Sequence, residues 1–134
     1  MGGGLMKNNC VTLHQYQLLK SIGCNIKGGG EIIKFHNNDG SISWFFLCTV
    51  DEVIDWLRKK HNVVIYDAIE PVISTGSNKI HYRLKVKWCD KNFGYNGRQY
   101  IGSTRFATNL YSLKREAITL AIRWLIKNKK VQKK

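Results

Sequence analysis

The sequence predicts an α+β fold, with a core of helix, three-stranded antiparallel sheet and helix to which an N-terminal helix and a β-hairpin are added. Three observations carry that expectation. Thr49-Val50-Asp51-Glu52 opens a run of helical periodicity, three strand-like segments separated by turn residues follow it, and a second amphipathic helical pattern closes the chain. A length of 134 residues suffices for one domain with a real core and is too short for two ordinary ones. A single domain over 1–134 is expected, with 1–48 as the added helix and hairpin, 49–128 as the core and 129–134 as a basic tail.

The first element is a short helix. Thr12 and Gln15 have the Thr-x-x-Gln spacing of a capping box, Leu13, Tyr16 and Leu19 follow, and Gly23 supplies the stop. Residues 31–34 and 43–48 flank Asn37-Asn38-Asp39-Gly40, residue types that accept positive φ, so a hairpin is expected there. A second capping box, Thr49 with Glu52, places Asp51 and Glu52 where the helix dipole favours acids. Val50, Val53, Ile54 and Leu57 then recur at helical spacing until Arg58-Lys59-Lys60, predicting a helix over 50–61 with an Asp55–Lys59 pair on its surface. Strands are expected over 63–73, 79–89 and 98–107, with turns at 74–78 and 90–97. A helix over about 112–127 follows, with Leu113, Ala117, Leu120, Ala121 and Trp124 on one face and Arg115, Thr119, Arg123 and Lys127 on another.

Charge is strongly segregated along the chain. The formal net charge is +13, yet residues 1–78 hold seven Lys/Arg against seven Asp/Glu, so the excess lies entirely in 79–134, fifteen basic residues against Asp90 and Glu116. The segment Lys79-Ile80-His81-Tyr82-Arg83-Leu84-Lys85-Val86-Lys87-Trp88 sorts by strand alternation into an apolar face (80, 82, 84, 86, 88) and a basic face (79, 81, 83, 85, 87). Cations about 7 Å apart along a strand approach the spacing of phosphates, so such a row can track a nucleic-acid backbone. The simpler reading is a solvated strand with lysines outward and a solubilising surface.

Cys10, Cys24, Cys48 and Cys89 lie 14, 24 and 41 residues apart and form no C-x-x-C pair. Reduced thiols packed as small hydrophobes are expected, and no metal or other cofactor; zinc held by Cys10, His14, Cys24 and Cys48 lacks the usual close ligand pairs. No charged-then-apolar leader precedes them, Met6 stands where a myristoylation signal needs Ser or Thr and is itself a plausible start, and no apolar run is long enough to span a bilayer. A cytoplasmic protein that does not enter membranes is the expectation. A basic amphipathic final helix lying on a membrane is disfavoured because its apolar face is needed to cover the sheet.

Catalytic signatures are missing from the sequence: no G-x-S-x-G, no H-E-x-x-H, and Gly28-Gly29-Gly30 is followed by Glu31 where a phosphate loop needs Lys and Ser/Thr. Asp51, Glu52 and Asp55, weighed as nuclease acids, are better explained by capping and pairing. No enzyme activity is expected.

The order helix, three antiparallel strands, helix over roughly residues 50–127 resembles a double-stranded RNA-binding domain, and Ser112-Leu113-Lys114-Arg115-Glu116-Ala117 is similar to the start of that family's last helix, where basic residues reach phosphates. That resemblance implies roles for Lys114 and Arg115, though the loop at 74–78 lacks the family's Gly-Pro-x-His element. Trp88 with Gly97-Arg98-Gln99-Tyr100-Ile101-Gly102 is similar to the ethylene-response and integrase arm-binding type of DNA-binding domain, which implies that three strands enter a major groove with a helix packed behind. Residues 49–62 also resemble a recurrent segment of small proteins of gut bacteria and their phages, which implies a mobile-element origin and no particular activity. The two nucleic-acid resemblances use different surfaces, and charge density favours the sheet. Candidate contacts are therefore Lys79, His81, Arg83, Lys85, Lys87, Arg98, Arg105, Lys114 and Arg115, with Arg98, Gln99 and Arg105 able to read base edges and Tyr95 able to stack. Tyr100 and Phe106 are expected in the core. Nucleic acid, DNA or RNA, is the expected partner; the alternative is an adaptor or inhibitor docking on an acidic protein, and the chain is a monomer or a homodimer.

Overall fold

The computed structural model describes residues 9–73, 80–90, 98–128 and 130–131. The opening MGGGLM, Lys79, the turn at 74–78, the loop at 91–97 with Tyr95, and tail positions 129 and 132–134 lie outside them. The fold is α+β, in the order α1 (Leu13–Ser21), β1 (Ile32–His36), β2 (Ile42–Phe46), α2 (Val50–His61), β3 (Val63–Ile73), β4 (Ile80–Cys89), β5 (Arg98–Ser103) and α3 (Leu110–Lys127). β1 and β2 form a two-stranded antiparallel sheet, and β3-β4-β5 a three-stranded one with β4 in the centre.

Local chemistry fixes the helix boundaries. Both capping boxes form: the Thr12 and Thr49 hydroxyls accept from the N–H of Gln15 and Glu52, whose side chains accept in return from the cap N–H groups. α2 ends on Asn62, whose left-handed φ of 58° turns the chain straight into β3, and the Asn62 carbonyl accepts from Cys89 N–H at 2.9 Å. The expected Asp55–Lys59 pair is present at 2.9 Å, joined by Arg58 at 2.7 Å. α3 begins two residues earlier than the sequence predicts, because Asn109 caps it by accepting from Ser112 N–H.

α2 and α3 cover one face of the three-stranded sheet. The core joins Val53 and Leu57 of α2, Val63 of β3, Leu84 and Val86 of β4, and Leu113, Ala117, Ile118, Ala121, Ile122 and Leu125 of α3. Trp88 extends it by packing on Trp124, ring centroids 5.6 Å apart. α1 docks on α3 through Gln15, whose Nε2 donates to the Arg115 carbonyl at 2.5 Å and to Thr119 Oγ1 at 2.8 Å. Thr119, expected on a polar face of α3, is therefore part of a helix–helix joint.

The third strand is shorter than its sequence pattern. β5 ends at Ser103 because the Thr104 side chain takes over half of the next pair: Thr104 N–H still donates to the Leu84 carbonyl at 2.9 Å, but Leu84 N–H donates at 3.0 Å to Thr104 Oγ1, which in turn donates to the Arg105 carbonyl at 2.9 Å. Beyond Thr104 the two segments meet again in an isolated bridge between Tyr82 and Ala107. A bulge between Val86 and Lys87 of β4, where the partner shifts from Gly102 to Tyr100, skips Ile101 in the ladder, and Ile101 packs against the core. Among the described residues no helix is long and apolar enough to cross a membrane.

Cys10, Cys24 and Cys48 are buried and Cys89 is partly exposed. Burial, with Cys24 nearby, pushes the Cys48 thiol up to about 11, and burial raises Cys24 as well. His14 is exposed, and no group of three potential metal ligands forms among the described residues. A thiolate is the reacting species, so exposure and pKa act in the same direction. Alkylation of the native chain at neutral pH, followed by peptide mass spectrometry, is expected to modify Cys89 first and Cys48 only after denaturation; early labelling of Cys48 contradicts this packing.

Candidate nucleic-acid interface

Strand alternation decides which residues of β4 face which way. Leu84, Val86 and Trp88 point at the helices, so His81, Arg83, Lys85 and Lys87 stand on the opposite, uncovered face. Register extends that face across the sheet. On β3, Tyr66 lies opposite Lys85 and Val64 opposite Lys87; on β5, Ser103 lies opposite Lys85, Tyr100 opposite Lys87 and Arg98 opposite Cys89.

Aromatic rings sit between those cations. Lys87 Nζ lies 5.2 Å from the Tyr66 ring centroid, and the Arg83 guanidinium 4.9 Å from that of Phe106, while Arg83 Nε donates to the Thr104 carbonyl at 3.2 Å. The rings hold long side chains upright over the sheet, a contribution of roughly 0.5–1 kcal/mol each at exposed sites. Tyr100 is 53% exposed and Phe106 is exposed too, which corrects the expectation that both belong to the core. The bulge is the physical reason for Tyr100: it gives Ile101 the inward position and leaves Tyr100 outward beside Lys87. His81 closes the row, but its Nδ1 is buried, with no partner among the described residues, so that atom is not displayed to a ligand.

The remaining candidates are not gathered on this face. Arg105 turns toward α3 and pairs with Glu116 at 3.2 Å. Lys114 pairs with Asp51 of α2 at 2.8 Å, and Arg115 donates to the Cys10 carbonyl at 3.0 Å. Lys114 and Arg115, implied by the RNA-binding resemblance, thus join α3 to the first half of the chain. Arg123, Lys127 and Lys130 are exposed on or just beyond α3, behind the sheet, with Lys130 Nζ 4.3 Å from the Trp88 ring centroid. Among the described residues the basic side chains of the second half are therefore divided between the open sheet face, the outer face of α3 and the contacts that tie α3 to its neighbours.

The acids at the start of α2 are each engaged. Asp51 holds Lys114, Asp55 holds Arg58 and Lys59, and Glu52 caps α2 while its carboxylate also accepts from Gly29 N–H at 3.2 Å. Comparison of the chain with protein-family models, curated proteins and solved structures finds no match. The functional reading accordingly rests on the chemistry of the sheet face.

Proposed function

We propose that the chain is a non-enzymatic nucleic-acid-binding protein that lays the open face of β3-β4-β5 against duplex DNA. The observation that carries this reading is the alignment of Arg83, Lys85 and Lys87 on the central strand, with Arg98 on the next, beside the exposed Tyr100 and the partly buried Tyr66. Electrostatic attraction to phosphates supplies affinity, and the aromatic and hydroxyl groups of Tyr66, Tyr100 and Ser103 add contacts that depend on what lies between the phosphates.

The geometry favours DNA over duplex RNA. Three strands at about 4.8 Å spacing span roughly 10 Å, which suits the B-form major groove of about 12 Å; the A-form major groove is too deep and narrow for such a surface. The RNA-domain mode relies on the start of the last helix, where Lys114 and Arg115 are tied to Asp51 and the Cys10 carbonyl.

Titration of labelled duplex DNA, duplex RNA and single strands over a range of salt concentrations tests the proposal. Engagement of four phosphates gives a log–log salt slope of about −3.6 on duplex DNA, with weaker binding to duplex RNA. No binding at low salt, or a flat slope, overturns it. Retention of one stoichiometric acidic protein in a nuclease-treated pull-down, with no duplex affinity, supports the adaptor reading instead.

A further inference from the structure

Large apolar side chains are concentrated outside the core on the β1–β2 hairpin. Its register sets Ile32 opposite Phe46, Lys34 opposite Trp44 and His36 opposite Ile42, so these six residues share one face. Ile32, Phe46, Trp44 and Ile42 are 53, 51, 62 and 46% exposed, and Lys34 Nζ lies 5.8 Å from the Trp44 ring centroid. Apart from each other, neither strand packs substantially against another described element. The turn is nevertheless well built: Gly40 takes φ of 88°, Asp39 Oδ1 accepts from Ser41 N–H at 2.9 Å, and Asn37 Nδ2 donates to Ser41 Oγ and Ser43 Oγ. An isolated two-stranded hairpin is marginal in water, and one with a bare apolar face is stabilised by covering it.

Charge and area indicate what covers it. Residues 31–48 carry Lys34 against Glu31 and Asp39, so the hairpin as a whole has no share in the basic excess, and on the face itself Lys34 is the one formal charge. One lysine among four apolar side chains offers little attraction to a polyanion or an anionic bilayer. The four apolar side chains expose on the order of 450 Å², as much as the largest apolar patch a monomer normally leaves in water. Two such faces together, with their rims, reach roughly 1,000–1,200 Å², the lower bound of specific protein interfaces.

We propose that this face is a self-association surface, and that a second copy of the chain docks hairpin against hairpin across a twofold axis. An isologous contact needs no second surface, since the same six residues meet themselves. Sheets packed face to face lie about 10 Å apart, a gap that Trp44 and Phe46 fill. The area implies a reversible dimer, and the contact does not depend on the nucleic-acid reading.

Analytical ultracentrifugation of the full chain in moderate salt, from low micromolar to hundreds of micromolar, tests the inference. The wild type is expected to pass from 15.5 kDa to twice that mass, with Trp44→Glu and, independently, Ile42→Lys weakening association at least tenfold. Both residues lie outside the core, so circular dichroism and thermal melting of the variants serve as the check that the fold persists. A wild type that stays monomeric, or variants that dimerise equally well, overturns the inference. So does a variant that loses duplex DNA affinity at concentrations where the wild type is monomeric, since the face then belongs to the nucleic acid.

Discussion

Lys85→Glu combined with Lys87→Glu is expected to lower duplex DNA affinity by roughly a hundredfold at about 0.1 M salt and to halve the salt slope, from about −3.6 to about −1.8. Each phosphate contact scales as salt to the power of about −0.9, so at about 0.1 M one contact is worth roughly eightfold and two roughly sixtyfold, with repulsion from the new carboxylates adding to the loss. Both lysines stand on the uncovered face of β4, and of the pair only Lys87 has a described ring contact, with Tyr66, so the fold should survive. The control is Arg123→Glu with Lys127→Glu on the outer surface of α3, which changes net charge equally behind the sheet. Fluorescence anisotropy titrations distinguish the cases: equal losses in both double variants indicate attraction to total charge and sink the sheet-face reading.

Leu84→Ala should do the converse. Leu84 is 1% exposed and lies between Arg83 and Lys85, so it anchors the strand that displays them without itself reaching the outer face. Truncating a buried leucine removes transfer free energy and leaves a cavity, at a cost of about 2–5 kcal/mol. With an unfolding entropy of about 2.1 cal/mol/K per residue, a chain of this size loses roughly 7–18 °C in Tm. Stability measured by chemical denaturation should fall by that amount, while DNA affinity measured well below the new Tm stays within about twofold. A loss of affinity parallel to the loss of stability contradicts the separation of inner and outer faces on β4.

Much of the fold is legible locally, because its boundaries are set by residues next to one another. Thr49 and Glu52 close their own cap, and the alternation through 80–88 separates Leu84 and Val86 from Arg83, Lys85 and Lys87 without reference to any other element. What local pattern misses is decided by distant partners. Strand-like periodicity runs through 104–107, yet Thr104 ends β5 by bonding to Leu84, a residue twenty positions away. Lys114 looks available for phosphate until α2 brings Asp51 to it, and Arg115 until α1's approach brings the Cys10 carbonyl. Tyr100 reads as core because the bulge that reverses it is a property of two strands together. Alternation in 42–46 likewise marks an apolar hairpin face but contains no information on whether anything covers it.

The joint between α1 and α3 also bears on how the protein is made. Gln15 reaches 100 residues along the chain to the Arg115 carbonyl, and Arg115 reaches back 105 to Cys10. During synthesis α1 therefore has no α3 to dock on until about a hundred further residues have been translated, although Cys10 and Val11 can already pair with Cys48 and Thr49. Throughout that interval the nascent hairpin, with Trp44 and Phe46 outward, is a natural target for chaperones.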